Sequence, residues 1–257
     1  MTFIELVKEI SQFINTVTLH PNFLFRGQAD NEWPLEPSFT RIINRRKLNR
    51  KEALQLEREC INKFSISALN LLPVKNTITL LPQNGKTTFS EWHVVMQHYS
   101  APTRKLDWSC SPWVALYFAC CEQEDSDASI LIADFDKVVS EADKRLNETN
   151  TDFYALAFDP NSPDILHFEM AYNTNERLEA QQGRFSVCTN PLIDHRKMIE
   201  DVGGLHEITI PKAMKPEIMQ ELYKMNITAK TLYPGIDGLG KSTYEYCNLW
   251  DKNSIIK

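Results

Sequence analysis

The sequence predicts a single α+β domain spanning 1–257, with a mixed or antiparallel sheet at its core and helices flanking it. Three observations carry this. Short apolar stretches of strand length are interspersed with longer stretches of helical spacing. No composition break, long linker or internal repeat divides the chain. Hydrophobic content of 42% and charged content of 24%, with only 8 Gly and 13 Pro, fit a globular chain and argue against low complexity.

The elements follow in order. Phe3, Ile4, Val7, Ile10, Phe13 and Ile14 recur at helical spacing, which predicts an amphipathic N-terminal helix over 2–15 that packs on the rest. His20-Pro21 ends that unit. Asn22 to Gly27 reads as a short strand ending in Arg and Gly. Pro34 and Pro37 hold Trp33 to Phe39 extended. Lys51 to Leu72 is a long helical stretch, Thr77 to Ser90 a polar loop, and Glu91 to Tyr99 a helix. Thr103 to Asp107 is a strand, after which Ser111-Pro112 opens a helix with Pro at its first position. Strands are predicted at Ser129–Phe135, Gly183–Cys188 and Leu205–Ile210. A helix follows at Lys215–Met225, then a last strand at Ile227–Tyr233.

A net charge of -6 supplies no global basic field, so nucleic acid is not indicated as a partner. The six basic residues between Arg41 and Lys51 read as the solvated start of a helix. No apolar run approaches the roughly 18 residues of a membrane span. The start, MTFIELVKEISQFI, has charges inside its apolar pattern and does not read as a secretion signal. None of the six cysteines makes a C-x-x-C pair, which suggests reduced thiols and a cytoplasmic protein. No histidine and carboxylate spacing suggests a metal site.

Gln97 to Ala119, QHYSAPTRKLDWSCSPWVALYFA, crowds Gln97, His98, Thr103, Arg104, Asp107 and Ser109 against an apolar run. Buried charges are costly unless paired. Such a strand-to-helix corner is therefore either a binding site or an ion-paired structural corner joining Arg104 to Asp107. Ser109 precedes a helix start, where backbone N–H groups favour an anion. Tyr117 and Trp108 offer flat faces for stacking, whereas Phe118 reads as core.

Two further clusters stand out. Arg26 leaves an apolar strand, followed by Gln28 and then Arg41. Its guanidinium suits a phosphate or carboxylate, or pairs with an internal acid such as Asp107. Glu176 to Val187, ERLEAQQGRFSV, places Glu179 and Gln181 ahead of a glycine and a strand, or forms a solvated turn. Gly235 to Ser242, GIDGLGKS, spells a phosphate-binding loop. Such a loop needs a clean strand entry and more sheet after it; Pro234 breaks the entry and only 15 residues follow Ser242, so it reads as a Gly-rich turn.

FRGQ at 25–28, PSFTR at 37–41, the 97–119 stretch, RLEAQQGRF at 177–185 and LYPGIDGLG at 232–240 resemble the FRG domain family. That family is named for its Phe-Arg-Gly motif and is found mainly in bacteria and their phages. Its motif order resembles that of ADP-ribosyltransferases, which implies an ADP-ribosyltransferase-like fold. NAD is then the implied substrate and a nucleotide-type small molecule the partner, with an unidentified macromolecular acceptor.

On that resemblance Arg26 holds the NAD phosphates or ribose, and Ser109 bonds the nicotinamide ribose. Tyr117 or Trp108 stacks on nicotinamide, and Glu179 or Gln181 orients the acceptor or stabilises the reacting centre. Gln28, Arg41, Gln97, His98, Thr103, Arg104 and Asp107 complete the ligand site. The Glu-x-Glu pair expected of such enzymes is absent here. The implied function is an NAD-using transferase or NAD hydrolase in bacterial defence, including defence against phage, or in toxin biology. The alternatives are a non-catalytic nucleotide or phosphate sensor and a nucleic-acid-acting module.

Overall fold

A computed structural model describes residues 2–14, 22–68, 71, 89–169 and 176–249. Strands β1 (Phe23–Gln28), β2 (Lys105–Ser109), β3 (Ala128–Asp134), β4 (Leu166–Glu169), β5 (Gly183–Cys188) and β6 (Leu205–Ile210) form one sheet in the order β4-β5-β2-β1-β3-β6. Every neighbouring pair is antiparallel. The helices in the first half are α1 (Phe3–Ser11), α2 (Ser38–Arg45), α3 (Arg50–Ala68), α4 (Phe89–His98) and α5 (Pro112–Cys120). Those in the second half are α6 (Phe135–Thr149), α7 (Phe153–Leu156), α8 (Glu176–Ala180), α9 (His195–Asp201), α10 (Lys215–Lys224), α11 (Ala229–Leu232) and α12 (Ile236–Leu249). The fold is thus α+β on an antiparallel sheet.

The sheet is two three-stranded halves that barely join. β1 and β3 run in register from Phe23 opposite Asp134 to Gln28 opposite Ser129. β2 and β5 pair from Lys105 opposite Val187 to Ser109 opposite Gly183. Between the halves, β1 and β2 pair at one position, Phe25 opposite Ser109. Beyond it the strands part, and a side chain takes the place of the ladder: Arg26 Nη1 donates to the Asp107 carbonyl at 2.7 Å.

The two faces have separate cores. Phe25, Ile130 and Ile132 meet Leu6 and Ile10 of α1, Leu116 of α5 and Ile218 of α10. On the opposite face Leu24, Leu106, Trp108 and Leu131 meet Val138 of α6, Ile199 of α9 and Leu35. Side chains alternate along a strand, so Gly27 faces the same way as Phe25, toward α5. A Cβ at Gly27 would overlap the Ala115 carbonyl oxygen and crowd the Ala119 amide nitrogen. The glycine of the Phe-Arg-Gly motif is therefore a packing residue that lets helix and strand approach closely. α5 itself begins as its residues suggest. Pro112 stands in its first turn, and the Ser111 hydroxyl accepts from the Val114 amide.

Several expectations need correction. The extended segment expected through Phe39 stops at Pro37, and Ser38–Arg45 is helical, with Phe39, Thr40 and Ile43 buried. Ile227–Tyr233 is not a strand. Thr228 caps one helical turn, α11, whose Ala229 and Leu232 are buried. GIDGLGKS is neither a phosphate loop nor a turn beyond Gly235, the position with φ +109. From Ile236 it is the start of α12, and Gly238 fits against the Tyr233 carbonyl, where a Cβ would collide. Helices α6, α7 and α9 and strand β4 lie in stretches with no predicted element. Asn15, His20, Pro21 and the loop residues 77–88 lie outside the described residues, while Phe89 and Ser90 begin α4.

Gly27→Ala is expected to lower unfolding free energy by about 1–3 kcal/mol, since the contact is with backbone and cannot yield by a rotamer change. A urea titration checks this, and an unchanged midpoint would show that α5 can move away from β1.

Candidate functional site

The parting of β1 and β2 opens a cleft of about 280 Å³. One wall comes from β1 and the residues after it: Phe25 to Ala29, and Trp33. The other comes from Asp107 to Ser109 of β2, with Gly183 at the start of β5. α5 contributes Val114, Ala115 and Phe118, and Cys121 and Glu122 follow it. Arg177, Leu178, Gln181 and Tyr233 close the remaining side. A smaller cavity of about 70 Å³ adjoins it, lined by Val94, Gln97, His98 and Phe185. Asp107, Arg177, Leu178 and Gln181 line both, so the two are neighbours.

Arg26 is half-buried, and burial lowers its pKa, against the pull of the Asp107 charge. A guanidinium stays charged through such a shift. Among the described residues its Nε is buried without a partner, and so is Oε1 of Gln28, whose Nε2 donates to the Trp33 carbonyl at 2.9 Å. The expected ion pair of Arg26 with Asp107 is not formed among the described residues; Arg26 bonds the Asp107 backbone carbonyl instead. The Asp107 side chain itself is exposed in the cleft. Arg177 lies over the Tyr233 ring at 4.6 Å from its centroid, a stacking geometry that holds a guanidinium without neutralising it.

The rear of the cleft is fastened by residues distant in sequence. The Ser109 hydroxyl donates to the Gln181 carbonyl at 2.8 Å and accepts from the Ser111 amide at 2.9 Å. Gln181 Nε2 donates to the Leu232 carbonyl at 3.0 Å. Lys215, buried on α10, donates to the carbonyls of Ala29 at 2.7 Å and Gln123 at 2.6 Å, tying the end of β1 to the loop after α5.

The sequence-derived residues divide accordingly. Arg26, Gln28, Asp107, Ser109 and Gln181 come together in the main cleft, and Gln97 and His98 line the smaller chamber. Trp108 borders the cleft along the strand, but its ring is buried against Phe168 and its Nε1 donates to Ser186. Thr103 is buried, its hydroxyl donating to Gln97 Oε1 at 2.9 Å. Arg41 is exposed on α2 and donates to the Glu36 carbonyl at 2.8 Å. Glu179 is exposed on α8 and lines neither chamber.

Two expectations fail for clear physical reasons. Arg104 does not pair with Asp107. It is 1% exposed and bonds Glu57 of α3 through Nε and Nη2, and its Nη1 donates to the carbonyls of Ala157, Cys188 and Thr189. Its donors serve the protein, not a ligand. Tyr117 does not stack in the cleft. It is buried, and its hydroxyl donates to Glu245 of α12, which also accepts from the Ala229 amide. Burial, then the bond to Glu245, pushes its pKa up. The next residue, Phe118, faces the cleft instead. Arg177, Glu122 and Tyr233 were not singled out from the sequence, although Arg177 and Tyr233 stand inside the RLEAQQGRF and LYPGIDGLG motifs.

A wider depression of about 790 Å³ lies between α6, α9 and the end of β4. Its charges are of both signs, and Arg145 on its wall pairs with Glu141 and caps the Asp164 carbonyl. It holds none of the motif residues. Among the described residues no cluster of His, Cys, Asp or Glu could hold a metal ion, and no helix is long and apolar enough to cross a membrane. All six cysteines are free thiols.

The fold and cleft define an α+β protein with a charged, aromatic-lined chamber in a split antiparallel sheet. Residues 21–128 match the family model of the FRG domain. No curated protein and no solved structure matches the chain.

Arg104→Met is expected to cost about 3–5 kcal/mol by leaving Glu57 buried without its partner. Asp107→Asn should stay within about 0.5 kcal/mol of wild type, because the side chain is exposed. Urea denaturation of both variants checks the assignment, and the reverse order would overturn it. His195 gives a pH test. It is buried, its Nδ1 lies 2.9 Å from the Ser186 hydroxyl, and burial followed by the charges of Arg26 and Arg104 pushes its pKa down to about 3. Below pH ~6.5 the unfolded chain takes a proton that the folded chain refuses, so stability falls as pH falls, by up to about 1.4 kcal/mol per unit. The stability gap between wild type and His195→Gln should therefore narrow from pH 7 to pH 4.5, as measured by denaturation at each pH.

Proposed function

We propose that the cleft binds NAD and cleaves its nicotinamide–ribose bond, in the manner of an ADP-ribosyltransferase or NAD hydrolase. The observation that carries this is the cleft's pairing of charges. Two guanidiniums, Arg26 and Arg177, and two carboxylates, Asp107 and Glu122, share one chamber with Phe118 and Tyr233. NAD is a zwitterion of matching layout, with a pyrophosphate anion, a pyridinium cation and flat rings. Arg26 and Arg177 hold the pyrophosphate, and Phe118 stacks on a ring.

As the C1′–N bond breaks, its electron pair moves to the pyridinium nitrogen, which leaves as neutral nicotinamide. Positive charge builds on the ribose, and Asp107, which lines both cavities, stabilises it electrostatically. At about 280 Å³ the cleft lies just under the usual range for ligand clefts, so it takes the nicotinamide riboside end and leaves the adenosine toward solvent. The motif order of the FRG family supports the same reading, and a role in bacterial defence or toxin biology follows from that resemblance. A sensor that binds a nucleotide without cleaving it is favoured by one observation: Glu179 lies outside the cleft.

The test is a titration with NAD, ATP and ADP-ribose while nicotinamide release is followed. Arg177→Ala should weaken NAD binding by about 10-fold or more, the loss of one charge-assisted contact. Asp107→Asn should keep binding and lose release. Binding without release by the wild type would give the sensor, and binding of none of the three would overturn both readings.

A further inference from the structure

We infer that the smaller chamber admits the nucleophile of this reaction and that His98 is its general base. The inference rests on the NAD-cleaving reading of the main cleft. A cavity of about 70 Å³ is too small for a nucleotide. It has room for a water molecule, whose share of liquid volume is about 30 Å³, or for the tip of an acceptor side chain. It meets the main cleft at Asp107, Arg177, Leu178 and Gln181. An inverting displacement brings the nucleophile from the side opposite the leaving group, and a second cavity next to the main cleft offers it a separate place.

His98 is the one imidazole in the smaller chamber's lining. It stands at the end of α4, and its Nδ1 is buried with no hydrogen-bond partner among the described residues. Gln97 beside it is occupied with Thr103. The charged groups facing His98 are Arg177 from α8 and Asp107 from β2. β5 presents Phe185, and Tyr99 meets the ring edge-on at 4.9 Å. Burial, with a further push from Arg177, lowers the His98 pKa below its ordinary 6.5. Both influences favour the neutral imidazole, the form that can accept a proton.

In the step, a nucleophile X–H in the smaller chamber gives its proton to the imidazole while X bonds C1′. The C1′–N bond breaks and its electron pair leaves with nicotinamide. The imidazolium then returns the proton to solvent. The products are nicotinamide and ADP-ribosyl-X, or ADP-ribose when X–H is water.

The experiment measures NAD affinity by calorimetry and nicotinamide release from pH 5 to 9 for wild type, His98→Asn and His98→Gln, with melting curves as the control for folding. Both variants should bind NAD within about threefold of wild type. Their kcat should fall by about 100-fold or more, and the decline of activity at acid pH should disappear with the base. Azide, an anion with no proton to lose, should restore release in the variants. Variants that keep wild-type kcat and the acid decline would overturn the role of His98 and leave the NAD reading standing. A wild type that binds no NAD, or releases no nicotinamide, overturns the NAD reading and the base with it.

Discussion

The cleft exists because β1 and β2 separate after one paired position. Elsewhere the sheet is a continuous antiparallel ladder. At the separation, backbone groups that would bond across the strands are left to side chains, and unsatisfied buried groups are costly. Arg26 answers part of that need by donating to the Asp107 carbonyl. The same guanidinium lines the chamber that the separation creates. The residue that holds the opening together is thus the residue that best suits an anion, and the neighbouring glycine sets how near α5 can come. Three consecutive residues, Phe25, Arg26 and Gly27, supply core, bridge and close approach in turn.

The buried ionic network around Arg104 works behind this. α3 is joined to β2 through Glu57 and Arg104, and His93 of α4 lies 3.3 Å from Glu57. Lys105 meets Glu169 of β4 at 2.6 Å, and Tyr154 bonds the same carboxylate at 3.0 Å. Such networks are poor sources of net stability but penalise any arrangement that breaks them. Here the penalty falls on displacement of β2, the strand that forms one wall of the cleft.

Periodicity made part of this legible. β3, β5 and β6 have strong apolar or alternating patterns, and α5 and α10 each have a proline in the first turn. α6 had a readable start, since Asp134 caps it by accepting from the Lys137 amide, but its long polar face masked a stripe of only Val138 and Ala142. β4 is four residues long, too short for a pattern. Ile227–Tyr233 is a short apolar run that periodicity alone does not assign to strand or helix. The site divides the same way. Arg26, Gln28 and Asp107 were legible because they crowd a strand end. Glu57 stands 47 residues before Arg104, and no local signal links them. Tyr117 and Phe118 are adjacent, and the choice between them depended on which side of α5 met α12, a fact of tertiary packing.

The family match ends at Ala128, the first residue of β3. Among the described residues of 21–128 only β1 and β2 are complete strands, and those two hold each other at a single position. The neighbour that β1 needs is β3, and the neighbour that β2 needs is β5. Cut out at the limits of the match, the segment would carry the most recognisable residues of the chain on two nearly unpaired strands, each an open template for other chains. The stretch that matches the family model and the stretch that completes the sheet around the cleft are therefore different lengths. The second reaches at least to Lys215 and Tyr233, which close the cleft from the far end of the sequence.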